Sequence, residues 1–126
     1  VLYTALESDG ALAEMYFHLS RQPVFPSKIR FKIYEIRFQL SAVLSFNELR
    51  DMVPLGVDPS RYTEILYDRC QEIGDAANFL GADGIVVPNA RWECRNLIAF
   101  TDRIDPSKVE VGEARTIDWN VWRDRR

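Results

Sequence analysis

Glu14 is the first residue with a case for chemistry. It follows a short apolar strand and stands among Ala11, Leu12, Ala13, Met15, Tyr16 and Phe17. A carboxylate in that setting is either a solvated face residue or a fixed negative charge, and a fixed charge can stabilise positive charge that develops on a substrate. Tyr3, in the middle of the preceding strand, is the second candidate. A strand tyrosine either packs against its neighbours or offers its phenol to a site. The third is the stretch Gly84-Ile85-Val86-Val87-Pro88-Asn89-Ala90-Arg91, a buried strand that runs into a polar turn. Loops that leave buried strands are common places for binding groups, and Asn89 reads there as a turn cap or as an amide that holds a ligand.

The remaining reactive residues narrow the chemistry. His18 is the single histidine, which excludes HExxH and multi-histidine metal sites and leaves no Ser-His-Asp set to assemble. It lies four residues after Glu14, within reach of it on a helix. Cys70 and Cys94 are too few for a disulfide scaffold or a zinc set and point to a reducing, cytoplasmic setting. No neighbour of Cys94 in sequence argues for an activated thiol. The Arg123-Asp124-Arg125-Arg126 end reads as a solvated terminus.

These residues need elements to position them. Residues 1–5 read as a strand and Glu7-Ser8-Asp9-Gly10 as a turn, with Ser8 or Asp9 as helix cap. Leu12, Met15, Tyr16 and Leu19 then repeat at helical spacing over residues 11–20, with Glu14 off the middle of the stripe. Gln22-Pro23-Val24-Phe25-Pro26 stops that helix. Over residues 28–40, Ile29, Phe31 and Ile33 share one parity and Tyr34, Ile36, Phe38 and Leu40 the other. This predicts a long central strand bulged near Ile33-Tyr34. Ser45-Phe46-Asn47-Glu48 resembles a capping box that opens a short helix through Met52. Asp58-Pro59 predicts a second helix start, with an apolar period from Tyr62 to Leu80 and Gly81 as its stop. Residues 84–88 and 97–100 read as strands, and Val109 opens a last one. Trp119 and Trp122 fall in a charged tail.

The chain has 126 residues, 47% of them hydrophobic and 28% charged, which fits one globular domain. Its net charge of −3 gives no broad phosphate-binding field, so direct nucleic-acid binding is not expected. No apolar run approaches the roughly 18 residues that span a membrane, and no signal peptide is visible. Strands and helices mingle without a strand-helix-strand rhythm, and neither GxGxxG nor a Walker pattern occurs. The expected class is therefore α+β, or an irregular mixed sheet, rather than a doubly wound nucleotide fold.

Two segments, taken together, resemble a known family. Leu2-Tyr3-Thr4-Ala5-Leu6-Glu7-Ser8-Asp9-Gly10-Ala11-Leu12-Ala13-Glu14 is similar to the opening of the RES domain family. Gly84-Ile85-Val86-Val87-Pro88-Asn89-Ala90, followed by Asn96-Leu97-Ile98-Ala99-Phe100, is similar to its closing segment. Gln71-Glu72-Ile73-Gly74 and Asp105-Pro106 also fit, and the resemblance covers residues 1–111. It implies an ADP-ribosyltransferase-like fold: a mixed, mostly antiparallel sheet with flanking helices. It also implies a bacterial toxin that cleaves the nicotinamide–ribose bond of NAD+ and is neutralised by an Xre-like antitoxin. NAD+ would be the substrate, with no further cofactor and no metal. Carried over residue by residue, Glu14 takes the catalytic glutamate position and Tyr3 the substrate-binding tyrosine. Asn89 stands where the family has serine, and its amide lacks serine's geometry. The family arginine lies upstream of the first matched strand. A single RES-like domain over residues 1–126 is thus expected, with its N-terminal segment missing. The alternatives are a non-catalytic RES-like module kept for binding an antitoxin or a second copy of itself, and a small α+β domain that binds a partner through Trp119 and Trp122.

Overall fold

The computed structural model describes residues 1–25, 30–64 and 67–124. The expectations placed on Pro26, Ile29, Ile65, Leu66, Arg125 and Arg126 lie outside the described residues.

Among the described residues, six strands and three α-helices follow one another as β1 (Leu2–Ala5), α1 (Ser8–Ser20), β2 (Phe31–Phe38), β3 (Val43–Ser45), α2 (Asp68–Phe79), β4 (Gly84–Pro88), β5 (Arg95–Ala99), β6 (Val109–Ile117) and α3 (Trp119–Asp124). Four strands form one sheet in the order β1-β5-β4-β3. β1 and β4 run antiparallel to β5, and β3 runs parallel to β4. β2 and β6 form a separate antiparallel ribbon. The class is α+β with mostly antiparallel pairing and flanking helices, as expected.

β4 is the buried strand the sequence promised, with Gly84, Ile85, Val86 and Val87 all buried. Ile85 and Val87 join Phe46, Met52, Val57, Tyr67, Ile73, Ala77 and Phe100 in one core cluster beneath α2. A second cluster holds α1 to the ribbon: Leu12 and Ala13 pack with Ile117, Trp119 and Trp122. Trp119 and Trp122 are 1% and 4% exposed, so these two tryptophans are core and not a partner-binding tail.

The ribbon shows the expected irregularity. Phe31 and Ile33, then Ile36 and Phe38, are the half-buried residues of β2, and the register slips between Tyr34 and Ile36. Tyr34 opposes Ala114 whereas Ile36 opposes Val111, so Gly112 and Glu113 of β6 together face Glu35, and the extra residue of the bulge lies on β6, opposite the place expected in β2. The strand is not central, however: among the described residues it pairs only with β6.

Three helical regions differ from expectation. Residues 59–80 do not form one helix: a 3₁₀ turn at Pro59–Arg61 is separated from α2 by Tyr67 in extended conformation. Tyr62 and Tyr67 spend their hydroxyls on distant backbone, donating to Pro88 O (2.5 Å) and accepting from Asp58 N (2.8 Å), and these bonds hold the segment off helical geometry. Gly81, at φ 96°, does end α2. The capping box near Ser45 is shifted as well: Glu48 and Asp51 form it, and they open a 3₁₀ helix over Leu49–Leu55. α1 starts earlier than predicted, with Glu7 and neither Ser8 nor Asp9 at its cap position.

Candidate active site

α1 leaves the end of β1 through Leu6 and Glu7, and its first turn is pressed hard against the β4–β5 connection. Gly10 sits at that contact. A Cβ there would overlap Cys94 Sγ and come within 3.1 Å of Asn89 Nδ2. One helical turn beyond Gly10 lies Glu14, four residues on and so on the same face. The close approach of helix to loop thereby places Glu14 beside the sheet.

A cavity of about 1110 Å³ opens there, at or above the usual size of a small-molecule site of roughly 300–1,000 Å³. β1 contributes Tyr3, α1 contributes Glu14 and His18, α2 contributes Ile73 and Gly74, and the sheet contributes Val87, Asn96 and Ile98. Tyr3 is 71% exposed at the cavity's rim. Glu14 is half-buried, and its carboxylate makes no hydrogen bond or ion pair with any described residue. A carboxylate partly withdrawn from water without a partner costs stability, which makes Glu14 a candidate for contact with a ligand in the cavity.

Asn89 is used differently. It is 9% exposed and does not border the cavity. Its Oδ1 accepts the backbone N–H groups of Arg91 (2.7 Å) and Trp92 (3.0 Å), and its Nδ2 donates to Asn96 Oδ1 (2.8 Å) and to Gly10 O (3.4 Å). It therefore shapes the turn that carries Ala90 and Arg91 to the cavity wall. The structure brings Tyr3 and Glu14 to one cavity and sets Asn89 one bond away from it, through Asn96.

The thiols are not poised to react. Burial pushes Cys70 above its ordinary pKa, and burial followed by the Glu7 charge does the same for Cys94. Burial likewise drives Tyr62 well above the usual tyrosine range, which keeps its hydroxyl protonated as a donor to Pro88 O. No group of three or more His, Cys, Asp or Glu side chains suited to a metal exists among the described residues, and no described helix is long and apolar enough to cross a membrane.

Three polar cavity residues, Asn96, Arg91 and Tyr62, are among those the sequence reading did not assign to the site. Asn96 lay within the resembling segment, and Arg91 at the end of the polar turn, so each had a signal. Tyr62 had none, because its apolar spacing marked it as helix core.

Comparison with known proteins bears on this arrangement. No curated protein matches the sequence. A chain in the crystal structure of the M. tuberculosis MbcT–MbcA toxin–antitoxin complex has the same fold, with a TM-score of 0.79 at 19% identity, covering 98% of this chain and 69% of that one. The sequence pattern of the RES domain family matches residues 1–123, a span that includes both β1 with Glu14 and the β4–β5 turn. The strand, helix and turn that surround the cavity are thus parts of one recognised unit, and the chain belongs to the RES domain family.

Proposed function

We propose that the protein is a RES-type toxin that consumes NAD+ by cleaving its nicotinamide–ribose bond, acting on the cytoplasmic pool and neutralised by an Xre-like antitoxin. The observation that carries this reading is the unpartnered Glu14 carboxylate on a dinucleotide-sized cavity that Tyr3 also borders. The family membership and the likeness to a chain of a toxin–antitoxin complex support it.

The chemistry suits the residues present. Breaking the C–N glycosidic bond builds positive charge on the ribose, as in other oxocarbenium-like reactions. A carboxylate near the ribose hydrogen-bonds a hydroxyl and stabilises that charge as it develops. Nicotinamide leaves readily, so neither a metal nor a protonated histidine is demanded. Tyr3 supplies an aromatic face and a hydroxyl at the rim, suited to packing against a ring of the substrate.

The test is to incubate full-length protein with NAD+, with and without phosphate, and to identify products over time. Release of nicotinamide by the wild type and its loss in Glu14→Ala are expected; the partner product tells water, phosphate and protein acceptors apart. NAD+ left intact in every buffer would instead favour a non-catalytic binding module.

A further inference from the structure

Arg91 and Arg103 both border the cavity, and they are held in different ways. Arg103 is exposed, and its Nε and Nη2 bond to Asn78 at the end of α2. Arg91 is half-buried. Its guanidinium lies over the Phe17 ring at 3.5 Å from the centroid, and one terminal nitrogen donates to the Thr63 carbonyl. Its Nε is buried without an acceptor. The nearest acid in sequence to that carbonyl, Glu64, is already paired with Arg61 at 3.1 Å. Among the described residues, Arg91 has no ion-pair partner.

A guanidinium offers five donors and pays for desolvation when they go unused. Stacking on an aromatic ring covers its face and leaves its edge for in-plane bonds, the geometry that takes two oxygens of a phosphate. Phe17 lies three residues after Glu14 on α1, so the stacked cation and the free carboxylate occupy neighbouring places on one helix face. The Asn89 turn fixes the backbone of Arg91 itself. An unpaired cation and an unpaired anion on one cavity wall match a ligand that carries both a phosphate and a developing positive charge.

We propose that Arg91 is a substrate-binding residue that takes the pyrophosphate of the dinucleotide in this cavity. The assignment rests on the NAD+ reading above, and its test is kept separate from cleavage by comparing ADP with adenosine, which differ only in the pyrophosphate. Affinities of full-length wild type, Arg91→Gln and Arg91→Lys for each are measured by calorimetry, with circular dichroism to confirm folding. Wild type should prefer ADP by on the order of tenfold to a hundredfold, the scale of one or two charge-assisted bonds. Arg91→Gln should erase the preference with adenosine affinity unchanged. Arg91→Lys, which keeps charge but loses the fork, should weaken ADP severalfold, and it carries the test alone where Arg91→Gln does not fold. A wild type without preference, variants that retain the full preference, or an equal loss of ADP and adenosine would each overturn the assignment. Wild type that leaves NAD+ intact yet prefers ADP through Arg91 defeats cleavage and keeps this site. Cleavage with an Arg91-independent preference does the reverse.

Discussion

Glu14 holds no described residue in place, so its replacement removes charge from the cavity and little from the fold. Glu14→Ala should lower turnover on the order of 10²–10³-fold, the scale for losing one preorganised transition-state partner. NAD+ affinity should fall far less, because only interactions stronger in the transition state speed the chemical step. Thermal stability should be kept or slightly raised, since alanine is the better helix former. Equal NAD+ loss from wild type and variant would defeat the assignment. Asp83 is the opposite case, a carboxylate fully engaged. It accepts from Ser41 N (2.6 Å) and Ala42 N (3.0 Å) and so ties the approach to β3 onto β4. Burial opposes its ionisation, but those backbone donors, helped by Lys108, outweigh it and hold its pKa below the ordinary value. A depressed folded pKa means the stabilisation is fully present above about pH 4 and is lost as pH falls through the depressed value. Asp83→Asn should therefore cost about 1–3 kcal/mol at pH 7, and urea midpoints of the two proteins should converge in acid. A gap that is unchanged or wider at low pH would refute the sign. Tyr3, Glu14 and Asn89 could be named as candidates from local surroundings and motif order. That Asn89 spends both ends of its amide on the turn, on Asn96 and on Gly10 depends on contacts between distant segments, which no local pattern encodes.

At the scale of elements, two glycines in the two long helices show how the same residue type serves opposite ends. Gly10 in α1 is required by contact, with Cys94 Sγ and Asn89 Nδ2 occupying the space a side chain would need. Gly74 in α2 borders the cavity, and a Cβ there meets nothing within 4 Å. Gly10→Ala should cost about 1–3 kcal/mol through overpacking and should push α1 off the β4–β5 turn. Gly74→Ala should gain about 0.5–1 kcal/mol, because alanine lowers the entropy lost on forming a helix. Denaturant melts of the two variants decide the matter, and shifts of the same sign would contradict this account. The elements themselves were legible where burial leaves a plain mark: α1 carries an apolar stripe, β4 is an apolar run buried on both faces, and β2 switches parity beside the register slip. The segment before α2 was not. Its apolar spacing is helical, but the hydroxyl bonds of Tyr62 and Tyr67 to distant backbone override local propensity.

For the molecule as a whole, α1 links the cavity to the second core: it packs on that cluster through Leu12 and Ala13 and presents Glu14 to the cavity, whose wall includes Met52, Ile73, Ile85, Val87 and Phe100 of the first. The second cluster depends on β6 carrying the chain across β2 and delivering Trp119 beneath α1, a pairing between segments far apart in sequence. Nothing local in residues 109–124 reveals it, so the tryptophans looked like a tail. Trp119 is 1% exposed and lies against Tyr16 (6.3 Å between ring centroids), Phe31 (5.8 Å) and Trp122 (5.9 Å), yet it does not border the cavity. Its indole N–H is buried without an acceptor. The residue therefore acts by volume and ring contact, and its polar atom adds a cost and no bond. Trp119→Ala should destabilise by about 3–5 kcal/mol, the range for emptying a buried aromatic site. Trp119→Phe keeps a ring and removes the orphan donor, so it should cost at least about 2 kcal/mol less than the alanine variant. Urea unfolding followed by circular dichroism measures both. Equal destabilisation by Phe and Ala would mean that the indole nitrogen has a partner on which the packing of α1, and with it the placement of Glu14, depends.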